Sequence, residues 1–177
     1  MAERSGQKTE TSAVEFVFSR VFDSPRRQVF NAWTQCEHLM KWWGPKGCTM
    51  EFCRIDLRPG GVYHYGMRTP DGGMMWGKFV FREVSAPGRL VYVSSFSDEH
   101  GGITRHPLAA GWPLEMLSTM TLTEHDGKTT VTMSVVPINE SESERRTFVD
   151  GHKSMQGGWS GTLDRLDAHL NVVRIST

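Results

Sequence analysis

The sequence has little cysteine, and its three cysteines follow no recognisable framework. Cys36, Cys48 and Cys53 are odd in number and have no Cys-x-x-Cys spacing, which argues against a disulfide scaffold and a structural zinc site. Acidic and basic residues balance at 20 each, so the chain lacks the basic excess that neutralises nucleic-acid phosphates. We therefore predict a reduced protein with no metal site and no nucleic-acid partner.

Long hydrophobic runs and catalytic motifs are also missing. No segment approaches the roughly 18 apolar residues of a membrane span, and the polar start MAERSGQKTE is unlike a signal peptide. The sequence contains no Gly-x-Ser-x-Gly, no His-Glu-x-x-His and no Walker loop. With 177 residues the chain suffices for one domain with a sizeable core. We predict a cytoplasmic protein without a membrane partner or cofactor, and a binding function rather than an enzymatic one.

Methionine and tryptophan, in contrast, are abundant, with ten and six residues. From Cys48 to about Ile138, segments rich in β-branched, aromatic and methionine residues alternate with turn sequences such as RPGG, TPDGG and HDGK. This pattern predicts six strands. An earlier strand, VEFVFSRVF, precedes two short helices. The first helix has Ser24 as its N-cap and Pro25 at its first position, and the second, CEHLMKWW, ends at GPKG.

A long helix is predicted at the C-terminus. Asn139 and Glu142 have the spacing of a capping box, and an apolar stripe follows over about six turns. The stripe consists of Phe148, His152, Met155, Trp159, Thr162, Leu163, Leu166 and Leu170.

Three glycines interrupt this helix, each at a cost of roughly 1 kcal/mol relative to alanine. Gly158 lies at the edge of the stripe, where a missing side chain allows a close approach, so we expect it to border a cavity. Gly157 and Gly161 face away from the stripe. We therefore expect the helix to deviate from straight around 156–161.

The order of one strand, two short helices, six strands and one long helix resembles the START-like helix-grip fold. That fold is shared by the birch pollen allergen and polyketide cyclase superfamily. Four segments are similar to the family of activator-of-heat-shock-protein-90-ATPase homologues, over roughly 14–171. These segments are RVFDSPRRQVFNAWTQCEHLMKWWGP, LRPGGVYHYGMRTPDG, WGKFVFREV and GWSGTLDRLDAHL.

The resemblance implies an α+β fold in which a curved antiparallel sheet of six to seven strands wraps the long C-terminal helix. Two short helices follow the first strand, and a hydrophobic cavity lies between sheet and helix. We expect a flexible N-terminus at 1–12, a single START-like domain at 13–172 and a C-terminal tail at 173–177.

A methionine-rich cavity suits a small hydrophobic or aromatic ligand. The candidate lining residues are Trp43, Tyr63, Tyr65, Met67, Phe79, Phe81, Trp112, Met116, Ser118, Met120, Met133, His152, Met155 and Trp159. The alternative is that these side chains simply fill the core. Trp42 and Trp43 are adjacent and point about 100° apart in a helix, so we expect only one of them to face inward.

His152 is the one candidate catalytic residue. A neutral imidazole on the buried stripe suits a general base or a hydrogen bond to a ligand, and the alternative is a core histidine satisfied by a tyrosine or serine. Related polyketide cyclases and hydrolases make an enzyme one alternative function. Relatives that stimulate the chaperone make a co-chaperone another, with a chaperone as partner. His100 and His106 have no third ligand nearby, so no metal site is expected there.

Overall fold

A computed structural model describes residues 11–176, in which a curved sheet wraps a long C-terminal helix. The helices are α1 (Thr11–Val14), α2 (Arg26–Thr34), α3 (Cys36–Trp42), α4 (Glu142–Asp150) and α5 (His152–Ile175). The strands are β1 (Phe16–Phe22), β2 (Thr49–Ile55), β3 (Val62–Arg68), β4 (Met74–Ser85), β5 (Arg89–Ser97), β6 (Ile103–Thr104), β7 (Glu115–His125) and β8 (Lys128–Ile138). Within the described residues, no helix combines the length and the apolar character that crossing a membrane requires.

The sheet is antiparallel throughout and has the order β1-β8-β7-β5-β4-β3-β2, with the two-residue β6 paired to β5. Because side chains alternate between the two faces of a strand, one parity of each strand forms the buried concave face. Met120 of β7, for example, pairs with Leu90 on one side and Met133 on the other, and all three are buried. The predicted helix-grip fold is confirmed.

The two short helices form where they were predicted, but α2 begins one residue later. Pro25 is the N-cap and Arg26 the first helical residue. Ser24 precedes the cap and is buried, and its carbonyl accepts a hydrogen bond from the Thr129 hydroxyl of β8 at 2.7 Å. The helix entry is therefore fixed to the sheet by a tertiary contact.

The capping box before α4 lies two residues after its predicted position. The Ser141 hydroxyl accepts from the Glu144 N–H at 3.1 Å, and the Ser141 N–H donates to the Glu144 carboxylate at 2.9 Å. Asn139 instead adopts a φ of 55°, in the left-handed region where asparagine is tolerated. The prediction for Asn139 and Glu142 was wrong because the chain must first turn away from β8 before a helix can start.

The helical segment is interrupted at Gly151 and not around 156–161. Gly151 separates α4 from α5, whereas α5 is continuous as an α-helix across 156–161 and is not interrupted at its three glycines. A Cβ on Gly151 would lie 2.7 Å from the Trp112 ring. Glycine is therefore needed at 151 for the close approach of Trp112, a contact between elements far apart in the sequence.

The ends of the domain differ slightly from prediction. Most of the expected flexible segment 1–12 lies outside the described residues, and β1 begins at Phe16 after the single turn of α1. Helix α5 continues to Ile175, so the expected tail at 173–177 starts inside a helix.

A disulfide joins Cys36 of α3 to Cys53 of β2, whereas Cys48 is a buried free thiol. The prediction of fully reduced cysteines was wrong for this pair. The spacing of 17 residues carries no signal, but the fold packs α3 against β2 and brings the two Cα atoms to 5.7 Å, within the range for a disulfide. The bond attaches α3 to an edge strand of the sheet.

Reduction of the Cys36–Cys53 bond should lower the free energy of unfolding. The bond constrains the unfolded chain over a separation of 17 residues, and chain-entropy arguments give about 3 kcal/mol for a loop of this size. Urea unfolding with and without reductant measures the difference. Cys48→Ala is the control and should retain the same effect of reductant, because Cys48 is outside the bond.

A thiol titration of the unfolded, unreduced chain checks the pairing itself. We expect one reactive thiol, from Cys48, before reduction. Three thiols before reduction would contradict the disulfide.

Candidate functional site

A cavity lies between the concave face of the sheet and the N-terminal half of α5. It has two adjoining compartments, of about 150 and 260 Å³, which we call the inner and the outer compartment. Both are lined by Trp43, Tyr65, Phe96, Met155 and Trp159. The inner compartment is also lined by Phe79, Tyr92, Ser94, Ser95, Pro113, Leu114, Met116, Ser118 and Val135. The outer compartment adds Gly44, Pro45, Met67, Met75, Gly158 and Thr162.

Eight of the fourteen predicted lining residues are on the cavity wall. They are Trp43, Tyr65, Met67, Phe79, Met116, Ser118, Met155 and Trp159. Of the tryptophan pair, Trp43 lines the cavity, whereas Trp42 is fully buried and donates its indole N–H to the Ala32 carbonyl at 2.9 Å. Gly158, predicted to border a cavity, lines the outer compartment.

Four other predicted residues are on the concave face of the sheet, as expected, but they are buried in the core and do not line the cavity. Tyr63, Phe81, Met120 and Met133 are each 2% exposed or less. Each lies two residues along its strand from a wall residue, as Phe81 does from Phe79. At these four positions the concave face is covered by side chains of the core. A residue on the correct face of its strand therefore does not always line the cavity.

Trp112 and His152 lie beside the cavity rather than on its wall. The Trp112 ring packs against Phe148, with ring centroids 5.5 Å apart. His152 lies between the rings of Phe16 and Phe148, at 5.3 and 5.1 Å. Its Nε2 is buried and has no hydrogen-bond partner among the described residues. This position does not favour a general-base role for His152, nor does it supply the tyrosine or serine partner expected of a core histidine.

The sequence analysis missed the contribution of β5. Tyr92, Ser94 and Phe96 of this strand line the cavity. A strand was predicted for these three residues, but RLVYVSSF is apolar at both parities from Leu90 to Val93, so its pattern does not indicate which face lines a cavity. Pro113 and Leu114, in contrast, belong to the connection before β7, where no periodic pattern exists.

Trp43 is the centre of the aromatic cluster that forms the wall. Its ring makes edge-on contacts with Trp33, Tyr65, Phe79 and Trp159, with centroids 5.6 to 5.9 Å apart. Such edge-to-face pairs contribute about 0.5–1.5 kcal/mol each beyond the burial of area. The wall is therefore held in one arrangement by mutual ring contacts.

The space above Tyr65 depends on a glycine in the neighbouring strand. Tyr65 of β3 pairs with Gly77 of β4, and its hydroxyl lies over the Gly77 backbone where a Cβ would overlap it. On the opposite face of the sheet, Trp76 lies over Gly66 in the same way. Because Tyr65 can lie flat against the sheet, the volume above it is left open.

The wall of the cavity carries no formal charge. No aspartate, glutamate, lysine, arginine or histidine is among the described lining residues of either compartment. Some of its hydroxyls are directed to protein atoms: Thr162 donates to the Gly158 carbonyl at 3.0 Å, and Tyr92 to the Met133 sulfur at 3.7 Å. Residues 11–176 also contain no group of three histidine, cysteine, aspartate or glutamate side chains suited to a metal ion. The chemistry of the wall is that of a neutral, apolar site.

Charged residues instead fix the rim of the cavity from outside. The Arg165 guanidinium of α5 donates to the carbonyls of Gly44 and Pro45, both at 2.9 Å. Asp164 pairs with Arg20 at 2.7 Å and with Lys46 at 3.1 Å, and hydrogen bonds from these two cations lower the pKa of the Asp164 carboxyl. The segment that carries Trp43 is thereby attached to α5.

All three tyrosines of the chain lie in this region, and burial raises the pKa of each phenol. For Tyr65 the pKa rises to about 12, with a partial opposing effect of the nearby Trp43 indole. A phenolate in this wall would have no cationic partner among the described lining residues. The tyrosines are therefore neutral hydroxyls at physiological pH.

Because its pKa is higher in the folded than in the unfolded state, Tyr65 should make stability pH-dependent in alkali. Its contribution is complete below pH 10, the ordinary tyrosine pKa, and is lost as the pH rises toward 12, since the unfolded chain releases its proton first. Urea unfolding at increasing pH should show a shallower decline for Tyr65→Phe than for the native protein. A Tyr65 phenolate absorbance appearing near pH 10 in the folded protein would contradict this prediction.

Comparison with known proteins identifies the family and the fold. The family described as activator of Hsp90 ATPase homolog 1-like protein matches residues 23–171. Among curated proteins, none matches this chain. A crystal structure of a protein from Nitrosomonas europaea is similar, with a TM-score of 0.74 and 23% identity, covering 93% of this chain and 98% of that one.

Two further structures have the same fold. A solution structure of an Arthrobacter aurescens protein has a TM-score of 0.73 and 26% identity, covering 93% of this chain and 90% of the other. The AHSA1 protein from Silicibacter pomeroyi has a TM-score of 0.64 and 18% identity, covering 89% and 98%. Since the family match extends over most of the sequence, the chain belongs to the family of activator of Hsp90 ATPase homolog 1-like proteins.

Proposed function

We propose that this protein binds a small, uncharged, hydrophobic or aromatic molecule in the cavity between the sheet and α5. The observation that carries the proposal is the wall itself, in which aromatic and methionine side chains surround open space without any charged residue. Such walls bind apolar molecules by burial of area and by stacking, and methionine adapts to their shape.

The size of the cavity restricts the ligand. The inner and outer compartments, about 150 and 260 Å³, together reach the lower end of small-molecule pockets, which begin at about 300 Å³. A compact molecule with a few rings fits this space better than a long lipid chain. The exposed Gly158 at the outer compartment leaves the approach to this side open.

Two adjacent glycines of α5 provide a matched test. At both Gly157 and Gly158 an added Cβ meets no heavy atom within 4 Å, so neither position blocks the start of a side chain, and leucine at either one raises helix propensity equally. Only Gly158 borders the outer compartment. Gly158→Leu should therefore weaken binding of an uncharged aromatic compound by about tenfold or more, because its side chain occupies ligand space. Gly157→Leu should bind like the native protein.

The compound for this comparison comes from a thermal-shift screen of uncharged aromatic molecules, and its affinity is measured by titration calorimetry. Native mass spectrometry of protein purified from its own host should detect a co-purifying molecule. The proposal fails if no compound shifts the melting temperature and nothing co-purifies. It also fails if the two leucine variants bind equally well.

A co-chaperone function is the second candidate, and the family description supports it. It predicts that immobilised protein retains the host's heat-shock-protein-90 homologue and that the free protein changes the rate of its ATPase. Gly158→Leu should leave both effects intact, because a protein surface and not the cavity would make the contact. Absence of retention and of any rate change would rule this function out.

A further inference from the structure

A second open space lies on the convex face of the sheet, on the side away from α5. Its volume is about 370 Å³, and its lining is polar where that of the cavity is apolar. The basic side chains that line it are Arg54, His64, Lys78 and His100. The remaining lining residues are one acid, Asp56, together with Val62 and three glycines. We call this space the convex cleft.

Strand pairing brings three of these basic residues into one row. Arg54 of β2 pairs with His64 of β3, and His64 pairs with Lys78 of β4. Tyr65 and Phe79, the next residues along β3 and β4, line the cavity, so the row is on the opposite face of the sheet. Neighbouring strands are about 4.8 Å apart, and the row therefore spans about 10 Å. Because like charges opposite each other destabilise a sheet, a basic row needs an explanation.

The acids near the convex cleft are engaged with other groups. The Asp56 carboxylate accepts a hydrogen bond from the guanidinium of Arg58, which is outside the cleft, at 2.8 Å. The Asp98 carboxylate accepts from two backbone N–H groups of its own turn, at 2.8 and 2.9 Å. The Glu99 carboxylate lies 3.4 Å from the ring of His100, where both side chains are largely exposed. Within the described residues, none of these acids forms an ion pair with the basic row.

The two ends of the basic row keep donors that no protein group uses. Among residues 11–176, the Arg54 guanidinium forms no hydrogen bond and no ion pair. Arg68 and Arg89 of other strands, in contrast, each pair with a carboxylate. Lys78 donates to the Gly101 carbonyl at 2.8 Å, which leaves two of its three ammonium hydrogens for another acceptor. The row can therefore donate several hydrogen bonds to a molecule in the convex cleft.

The turn after β5 forms one end of the convex cleft and is attached to the basic row. His64 Nε2 lies 3.1 Å from the Asp98 carbonyl oxygen. Lys78 Nζ holds the Gly101 carbonyl of the same turn. These two hydrogen bonds position His100, which lies between the two attached residues and lines the cleft. The arrangement of the basic side chains is thus supported by contacts within the protein.

An aromatic surface adjoins the basic row. Two residues further along the same strands, Phe52 of β2 and Trp76 of β4 lie on either side of Gly66 in β3. A Cβ on Gly66 would lie 2.6 Å from the Trp76 ring, so glycine lets this ring lie across β3. The rings of Phe52, Trp76 and His64 have centroids 5.3 to 5.5 Å apart, and Phe52 is 38% exposed. A ligand that extends from the convex cleft meets these rings.

A phosphate ester has the chemistry that the two features require. Near neutral pH it carries between one and two negative charges and offers several acceptor oxygens. Arginine and lysine both bind phosphate, the first through its planar fork and the second as a point charge. A carboxylate has a single charge and two oxygens, which is less than the two cations of the row can neutralise. An aromatic ring on the ester would use the adjoining surface.

We propose that the convex cleft binds the phosphate group of a small aromatic phosphate ester. Arg54 donates to the phosphate from one end of the basic row and Lys78 from the other, and the ring of the ester lies on the aromatic surface. This site is separate from the apolar cavity and does not depend on the proposed function.

Titration calorimetry with phenyl phosphate, in phosphate-free buffer of low ionic strength, tests the basic row. Arg54→Gln removes one cation and breaks no contact among the described residues, so the variant should fold. We expect it to bind about tenfold more weakly, as for the loss of a hydrogen bond between charged groups. Arg146→Gln is the matched control, because it makes the same change of charge on α4, where Arg146 pairs with Glu142. This control should bind within about twofold of the native protein.

Inorganic phosphate and Phe52→Ala test the aromatic part of the ligand. The native protein should bind phenyl phosphate more tightly than inorganic phosphate. Phe52→Ala should reduce this preference by about threefold or more, since it removes a ring contact. Its affinity for inorganic phosphate should stay within about twofold of the native value. An unchanged preference in Phe52→Ala would overturn the assignment of an aromatic ester.

Gly158→Leu distinguishes the convex cleft from the cavity. This variant fills space in the outer compartment and should bind phenyl phosphate like the native protein. The inference is wrong if the native protein binds neither phosphate compound, if Arg54→Gln and Arg146→Gln bind equally well, or if Gly158→Leu abolishes binding. The proposed function is tested with uncharged compounds at the cavity, so it stands or fails independently of these results.

Discussion

One helix fills only part of the concave face of the curved sheet, and the rest of the structure depends on this constraint. Leu163, Leu166 and Leu170 of α5 are buried at 3% exposure or less and complete the core. In the preceding turns of α5, Met155 and Trp159 are only partly buried, and the space beneath them is the cavity. The same helix therefore stabilises the domain by its packing and covers one side of the cavity.

The other side of the cavity is held by contacts from three directions. The disulfide fixes α3 to β2, the Arg165 guanidinium binds the carbonyls that follow Trp43, and ring contacts fix Trp43 itself. Charges lie at the rim, where water solvates them, and neutral side chains line the interior. Under the proposed function this separation favours uncharged ligands, since a charged ligand would lose its hydration without gaining a partner.

Family membership establishes the fold and leaves the ligand open, because different functions use the same fold. The chemistry of the site is set by particular residues of the wall, above all Trp43, whose ring lines both compartments. A chaperone contact would use an outer surface of the domain and is compatible with an occupied cavity. The two candidate functions therefore involve different parts of the molecule.

The sequence by itself determined the order of elements, because the period of hydrophobic residues and the turn residues are local signals. It also indicated which face of β3, β4 and β7 is buried, the face on which the structure places Tyr65, Phe79 and Met116 at the cavity wall. The sequence did not determine how deep in the core each residue of a strand lies. Phe79 and Phe81 share a face, but only the position of α5 decides which of them lines the cavity. The disulfide, the glycine break beside Trp112 and the start of α2 at the sheet were decided by the tertiary structure alone. Each depends on a distance between residues far apart in the chain, which no local pattern encodes.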